Sequence, residues 1–218
     1  MDIYQIEAGL KSSDSQARMR ALTALRSYES EVAVPLLKTK LRDPEFLVRS
    51  FVAMGLGRKQ TPEAFDALID LVKHDNDYNV RAEAANSLSL YGEAAVPHLL
   101  QVFRANRHWL IRRSILAAFI EMSYPDILLE VCIEALADSD LTVQEGAVDG
   151  FGSLAGKTEQ AEALQQLLRL VSSDEWRIRV RVARVLRRFD DADARDALSR
   201  LREDEDHRVV AAVLEGLL

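Results

Sequence analysis

The sequence has little of what builds compact catalytic or metal-binding sites. It holds a single cysteine, Cys132. One thiol can neither close an internal disulfide nor form a cysteine-rich metal site. The four histidines, His74, His98, His108 and His207, are not paired at a metal-ligand spacing, and no His-Glu dipeptide occurs. No glycine-rich stretch ends in Gly-Lys-Ser/Thr, which excludes a phosphate-binding loop. No Ser-His-Asp spacing or nucleophile elbow is visible, although triads are not local in sequence. No apolar run nears the roughly 18 residues needed to cross a bilayer. Basic excess is missing too: 28 Lys and Arg stand against 35 Asp and Glu, a net charge of −7. Broad nucleic-acid binding needs a basic footprint that releases phosphate counterions, so it is not expected. Met1-Asp2-Ile3-Tyr4-Gln5 has neither a basic nor an apolar region of a signal peptide. The expectation is a cytoplasmic chain with no metal and no cofactor of its own.

Aromatic residues make up only 6% of the sequence; alanine and leucine dominate instead, as in helices that pack closely on one another. What is present is a phrase that recurs. Asp75 to Gly92 reads DNDYNVRAEAANSLSLYG, with an acid five places before Val80, then Arg81, then small and apolar residues at helical spacing. Taking Val80 as anchor, its counterparts are Ala17, Val48, Ile111, Val143, Ile178 and Val209, at intervals of 31, 32, 31, 32, 35 and 31 residues. A fixed period of this size is the mark of stacked supersecondary units, each leaning on its neighbours.

Each period splits into a helix A and a helix B, the second carrying the anchor. Seven pairs are expected, near 2–28, 31–58, 62–92, 93–123, 125–155, 159–190 and 192–218. Pro35, Pro62, Pro97 and Pro125 fall near expected A-helix starts, where a missing N–H costs little. Gly57, Gly92 and Gly156 fall near B-helix ends, where glycine adopts a left-handed cap. Asp14, Asp43, Asp75, Asn106, Asp138, Asp174 and Asp204 precede the B helices and can cap them or turn the chain. The predicted fold is an all-α, right-handed α-solenoid of about seven helix pairs forming one domain over 1–218.

This pattern resembles HEAT repeats. The residues that carry the resemblance are Asp43 with Arg49 and Asp75 with Arg81, an acid six places before an arginine. The resemblance implies a ladder of ion pairs and hydrogen bonds between repeats. The ladder is incomplete: Asn106 stands with Arg112, Asp138 with Gln144, Ser173 with Arg179, and Asp204 with Val210. The short period and the phrase aromatic-x-Val/Ile-Arg (Tyr78 to Arg81, Trp109 to Arg112, Trp176 to Arg179) are similar to the cyanobacterial phycobilisome-lyase group of HEAT-like proteins. That group implies a cyanobacterial source. It also implies a partner that is a phycobiliprotein or a cofactor-assembling protein, iron–sulfur assembly factors included. Iron-dependent HEAT hydroxylases carry repeated His-Glu pairs, and HEAT-like DNA glycosylases rely on a basic concave face; neither feature is expected here.

Two residues before each anchor runs a second ladder: Gln16, Phe46, Tyr78, Trp109, Leu141, Trp176 and His207. These are either hydrophobic staples at helix starts or a row of anchors for a partner. In HEAT folds the B helices line the concave surface. With the anchor and positions +4 and +8 facing the core, positions +2, +3 and +6 face outward at 100° per residue. They are Ala82, Glu83 and Asn86; Arg113, Ser114 and Ala117; Glu145, Gly146 and Asp149; Val180, Arg181 and Arg184. This surface, small-residue rich and mixed in charge, suits a protein helix or loop unless it is only a solvated face.

Six arginines, Arg177, Arg179, Arg181, Arg184, Arg187 and Arg188, crowd the sixth repeat without a lysine. They suit bidentate recognition of carboxylate or phosphate, or local pairing with Asp174, Glu175, Asp190, Asp191 and Asp193. In repeat five, Gly146, Gly150 and Gly152 lie within one helix. They mark a softer joint near 144–158 or the close approach of a neighbour. Cys132 sits in an apolar stretch and is read as a buried, inert thiol. His98 is read as a surface residue.

The expected function is a non-catalytic scaffold holding a protein partner on its concave face. Phe46, Tyr78, Trp109 and Trp176 are its anchors, with Glu83, Asn86, Arg113, Asp149, Arg181 and Arg184 around them. The alternative is a subunit of a bilin lyase or isomerase. Val213, Leu214, Leu217 and Leu218 form an apolar C-terminus suited to weak self-association.

Overall fold

The structure is a computed structural model and describes residues 1–215. Leu217 and Leu218, and with them part of the expected self-association surface, lie outside the described residues. Within them, Val213 is buried and Leu214 is exposed.

The described residues form fourteen α-helices and no strand. They run as seven pairs: α1 (Ile3–Leu10) and α2 (Ser15–Ala24), α3 (Ser30–Lys38) and α4 (Phe46–Lys59), α5 (Pro62–His74) and α6 (Tyr78–Ser89), α7 (Val96–Ala105) and α8 (Trp109–Glu121), α9 (Pro125–Leu136) and α10 (Leu141–Ser153), α11 (Gln160–Arg169) and α12 (Trp176–Leu186), α13 (Ala192–Leu201) and α14 (His207–Leu214). Helix α5 shows why these segments fold so. The Thr61 hydroxyl accepts the Ala64 N–H at 3.2 Å and Pro62 opens the helix. Glu63 lies in the first turn, and Lys73 and His74 in the last, each sign set against the helix dipole. Ala64, Ala67, Leu68, Leu71 and Val72 are all buried, the i, i+3, i+4, i+7, i+8 stripe of a helix packed on one side. Each buried leucine contributes roughly 1.5–3 kcal/mol.

The chain divides into two compact units, Met1–Ala118 and Phe119–Leu218. In the first, the B helices pack in sequence, α2 on α4 and α4 on α6, while α3 and α5 pack on the A side. In the second, α10 packs on α12 and α12 on α14, and α11 on α13. Successive repeats are thus stacked B on B and A on A, the arrangement of an α-solenoid. Six of the seven anchors are buried, Val48, Val80, Ile111, Val143 and Val209 completely. Ala17, the smallest anchor, is only half-buried.

Three local expectations need correction. Pro35 is not at a helix start: it lies inside α3, where its missing N–H gives up the bond to the carbonyl four residues back. Gly57 is not a cap. It is buried within α4, and a Cβ there would sit 2.8 Å from the Ser87 Cβ and 3.0 Å from the Ser87 backbone. Its role is to let α4 and α6 approach, and the left-handed cap of α4 is Gln60, with φ of 48°. Gly92 and Gly156 do have positive φ. Finally, turning and capping are divided between two residues. Asp43, Asp75, Asn106, Asp138 and Asp204 each accept the N–H two residues on, which turns the loop. The residue two places later then caps helix B, as Asp77 does for α6, Asp140 for α10 and Asp206 for α14. Asp14 belongs to this second set, capping α2, and Ser12 takes the turn position before it.

Candidate functional site

The loops that turn the chain also carry the inter-repeat ladder. Arg49 donates from Nε and Nη2 to the two carboxylate oxygens of Asp75 at 2.7 and 2.9 Å. Its Nη1 donates to the carbonyl of Asp43 at 2.8 Å. Arg179 repeats this with Asp204 at 2.8 and 3.0 Å and the Ser173 carbonyl at 2.6 Å. Arg18 repeats it with Asp43 and the Ser12 carbonyl. This last rung was hidden in the sequence because Ser12, like Ser173, stands six places before its arginine where Asp43 and Asp75 carry an acid. These hydrogen bonds raise the pKa of Arg49 and Arg179 and lower that of Asp204. Arg81 reaches the Val72 carbonyl at 2.9 Å, and Arg112 reaches the Phe103 carbonyl at 2.8 Å with its guanidinium over the Phe103 ring. Gln144 keeps the tie to its own loop through the Asp138 carbonyl at 2.6 Å, but a neutral amide brings no charge to the next loop, where Ser173 offers none.

Beside the ladder lies the aromatic row. Phe46, Tyr78 and Trp109 open three successive B helices and are exposed by 36, 46 and 41%. They are not buried staples. Tyr78 stacks on His108 of the next loop, with ring centroids 3.6 Å apart, and His108 lies 6.1 Å from Trp109. Trp176, in the second unit, is half-buried beneath the Arg208 guanidinium, 3.3 Å from its ring centroid.

On the B helices, positions +3 and +6 face outward as expected and position +2 does not. Ala82, Glu145 and Val180 are buried; only Arg113 among the four is exposed. Position +2 turns toward the adjacent B helix, and B-on-B stacking closes over it. Asn86 and Arg184 are exposed, while Glu83, Asp149 and Arg181 are half-buried. Burial pushes the Glu83 carboxyl up, against a hydrogen bond from Ser87 and the charge of Arg58.

The arginines of α12 are paired, but not with the acids beside them in sequence. Arg177 holds Glu145 at 2.6 Å. Arg181 holds Asp149 at 2.5 Å and Glu145 at 3.5 Å. Arg184 holds Glu215 at 3.2 Å. Side chains on α12 project sideways onto α10 and α14, about one repeat away in sequence, so their partners come from those helices. Asp190 pairs instead with Arg195, and Asp191 caps α13.

The same +3 and +6 register, read back into repeat two, gives Phe51 and Met54, which the sequence reading passed over. With Leu22, Leu37 and Gly55 they line a cleft of about 210 Å³, and Arg26 and Arg58 stand at its mouth. Cys132 is fully buried and its thiol is pushed up by desolvation. His98 is half-buried, edge-on to Phe65 at 5.5 Å. Among the described residues no cluster of three or more His, Cys, Asp or Glu is placed to hold a metal, and no helix is long and apolar enough to cross a membrane.

Stacked helix pairs joined by an Arg–Asp ladder define an α-solenoid. The chain belongs to the HEAT repeats family, whose profile matches residues 34–120 and 129–218. No curated protein sequence matches it significantly. Among solved structures, it is similar to YibA of Escherichia coli, with TM-score 0.62, 13% identity, and coverage of 100% of this chain and 92% of that one. It is also similar to a chain in the CpcE–CpcF complex of phycocyanin lyase from Nostoc sp. PCC7120, with TM-score 0.54, 20% identity, and coverage of 98% and 93%. A chain of the Kap95p–RanGDP complex gives TM-score 0.66 at 13% identity, covering 97% of this chain and 35% of that one. At these identities the likeness shows the fold alone.

Proposed function

We propose that this chain is a non-catalytic scaffold that holds a protein partner on the outward face of its B helices, the concave face of HEAT folds. The observation that carries the reading is the row Phe46, Tyr78 and Trp109: three large aromatic side chains, each exposed by more than a third, at one register in consecutive repeats. Exposed aromatics with arginine nearby are the usual anchors of protein interfaces. Arg113 supplies that charge beside Trp109. In the second unit Trp176 is the anchor, with Asp149, Arg181 and Arg184 forming a paired polar surround, and Glu83 and Asn86 continue the face in the first. The partner class is a phycobiliprotein or a cofactor-assembly protein such as an iron–sulfur assembly factor. Support for it comes from the aromatic-x-Val/Ile-Arg phrase and from the fold shared with a chain of the phycocyanin lyase complex.

The test is affinity capture from a cyanobacterial lysate with the wild-type chain and a Trp109→Ala/Arg113→Glu variant, both checked for helicity by circular dichroism. Capture of one protein by the wild type, lost in the variant, supports the scaffold. Equal capture by both removes this face from consideration. The second reading, a subunit of a bilin lyase or isomerase, rests on the same likeness; uptake of a bilin with a shift in visible absorption would favour it over a pure scaffold. Residues 1–218 as one folding unit with a softer joint near 144–158 belong to the same proposal. Gly156 has open space around it, so a first proteolytic nick at 156–158 would support such a joint.

A further inference from the structure

We infer that the cleft in repeat two is an anchoring pocket for an acidic segment of a partner protein. One large apolar side chain of that segment enters between Leu22, Leu37, Phe51 and Met54, and its flanking carboxylates are held by Arg26 and Arg58. The inference rests on the B-helix face being the binding face, and three observations take it further.

The first is size. A volume of about 210 Å³ falls below the roughly 300–1,000 Å³ of small-molecule sites, so the cleft takes one side chain and not a whole cofactor. Gly55 lets the buried Leu37 side chain close one wall of it: a Cβ at that position would lie 2.6 Å from the Leu37 Cδ2.

The second is charge. Nearly every arginine of the ladder and of α12 described above is already held by a carboxylate or a carbonyl. The guanidinium groups of Arg26 and Arg58 are exposed, and among the described residues neither forms an ion pair or hydrogen bond that would satisfy it. The ammonium of Lys59 joins them at the rim and donates to the carbonyls of Arg26, at 3.2 Å, and Tyr28. Glu83, whose charge Arg58 feels, is itself half-buried and accepts a hydrogen bond from the Ser87 hydroxyl. On a chain of net charge −7 this is a local cationic rim around an apolar floor. Its complement is an apolar side chain between carboxylates.

The third is continuity. Phe51 and Met54 occupy the same +3 and +6 register as Glu83 and Asn86, so the pocket lies in line with the face proposed above.

The test uses the full chain and a fluorescein-labelled peptide with one phenylalanine between glutamates, followed by fluorescence anisotropy. Control peptides replace the phenylalanine by alanine or the glutamates by lysines. Two variants change exposed side chains: Arg26→Glu/Arg58→Gln removes the rim charge, and Thr23→Trp fills the mouth. The expected result is saturable binding of the Phe–Glu peptide to the wild type. Each control peptide and each variant should weaken it at least about tenfold, the equivalent of about 1.4 kcal/mol. No saturable binding, or equal binding by the wild type and the Arg26/Arg58 variant, overturns the pocket. So does uptake of decanoate without peptide binding, which would mark a fatty-carboxylate site. The two readings fail separately. Partner capture lost in Trp109→Ala/Arg113→Glu but kept in Arg26→Glu/Arg58→Gln leaves the scaffold face standing and overturns the pocket. Peptide binding that depends on Arg26 and Arg58, with capture indifferent to Trp109 and Arg113, does the reverse.

Discussion

Arg49 and Asp75 meet side by side, Nε to Oδ2 at 2.7 Å and Nη2 to Oδ1 at 2.9 Å, across 26 residues and one repeat boundary. The third nitrogen of the same guanidinium holds the Asp43 carbonyl of its own loop. Asp75 in turn accepts the Asp77 N–H and so shapes the next loop. One side chain thereby couples two turns, a task that needs the fixed fork of arginine. The Arg18–Asp43 and Arg179–Asp204 pairs reproduce the arrangement.

Removing one partner of this pair leaves a charge with little access to water. The Arg49 side chain is 14% exposed and that of Asp75 5%. Arg49→Ala is therefore expected to cost about 3 kcal/mol, the usual consequence of orphaning a buried partner. Arg49→Lys keeps the charge but loses the fork, and should fall between the two. Urea denaturation checks both. A loss under about 0.5 kcal/mol for Arg49→Ala, the range of a surface change, would show that the rung is ornamental.

Acid should weaken the fold through the same ladder. The hydrogen bond from Arg179 holds the Asp204 carboxyl below its ordinary 3.8, outweighing the opposing effect of burial. A carboxylate with a depressed folded value binds fewer protons folded than unfolded. Its contribution is complete above about pH 4 and is lost as pH falls through the depressed value. Asp204→Asn should lower stability at neutral pH and flatten the acid limb of the stability profile. Glu83 has the opposite sign. Its carboxyl is raised above 4.5, so its contribution is present below that value and fades as pH rises through the raised one. Glu83→Gln should gain stability near neutrality. Denaturation midpoints across the acid range decide both, and parallel profiles for wild type and Asp204→Asn would contradict the assignment.

The repeat was legible because its signal is periodic: one apolar anchor and one polar turn, seven times over. What stayed hidden depends on neighbours one repeat away. The partners of Arg177 and Arg181 are Glu145 and Asp149 on α10, whereas sequence proximity points to Asp174 and Asp190. Gly57 reads as a helix end by local rules and is instead a contact point for Ser87. Position +2 faces outward on an isolated helix, but at Ala82, Glu145 and Val180 it is buried in the stack. The cleft at Phe51 and Met54 needs Leu22 and Leu37 from two other helices before it exists at all. The Arg18 rung was missed for a simpler reason, the serine in place of the acid.

The two tryptophans should report different surroundings. Trp109 is 41% exposed, and Trp176 is half-buried under Arg208. In a Trp176→Phe variant the remaining emission should be red-shifted and readily quenched by acrylamide. In Trp109→Phe it should be bluer and less accessible. Equal quenching constants would mean that the aromatic row is covered in solution, which a second copy of the chain could explain and light scattering would reveal.

Gly150 of α10 packs directly against Cys132 of α9. A Cβ at 150 would run into the Cys132 Sγ, with Leu128 Cδ1 a further 3.5 Å contact. Gly150 and Cys132 are both buried, and the thiol is raised by desolvation, so an added methyl has to displace packed side chains rather than water. Gly150→Ala gains about 1 kcal/mol of helix propensity against an overpacking cost of about 1–3 kcal/mol; a net loss near 1 kcal/mol is expected. Cys132→Ala alone should also destabilise, by opening a small void. Combined with Gly150→Ala it should recover part of the loss, because the new methyl occupies the space the sulfur leaves. The coupling in that double-mutant cycle is the measured quantity. Additive losses, or a stabilising Gly150→Ala, would show that α9 and α10 can separate freely. The glycines of α10 would then act as a hinge rather than a seam.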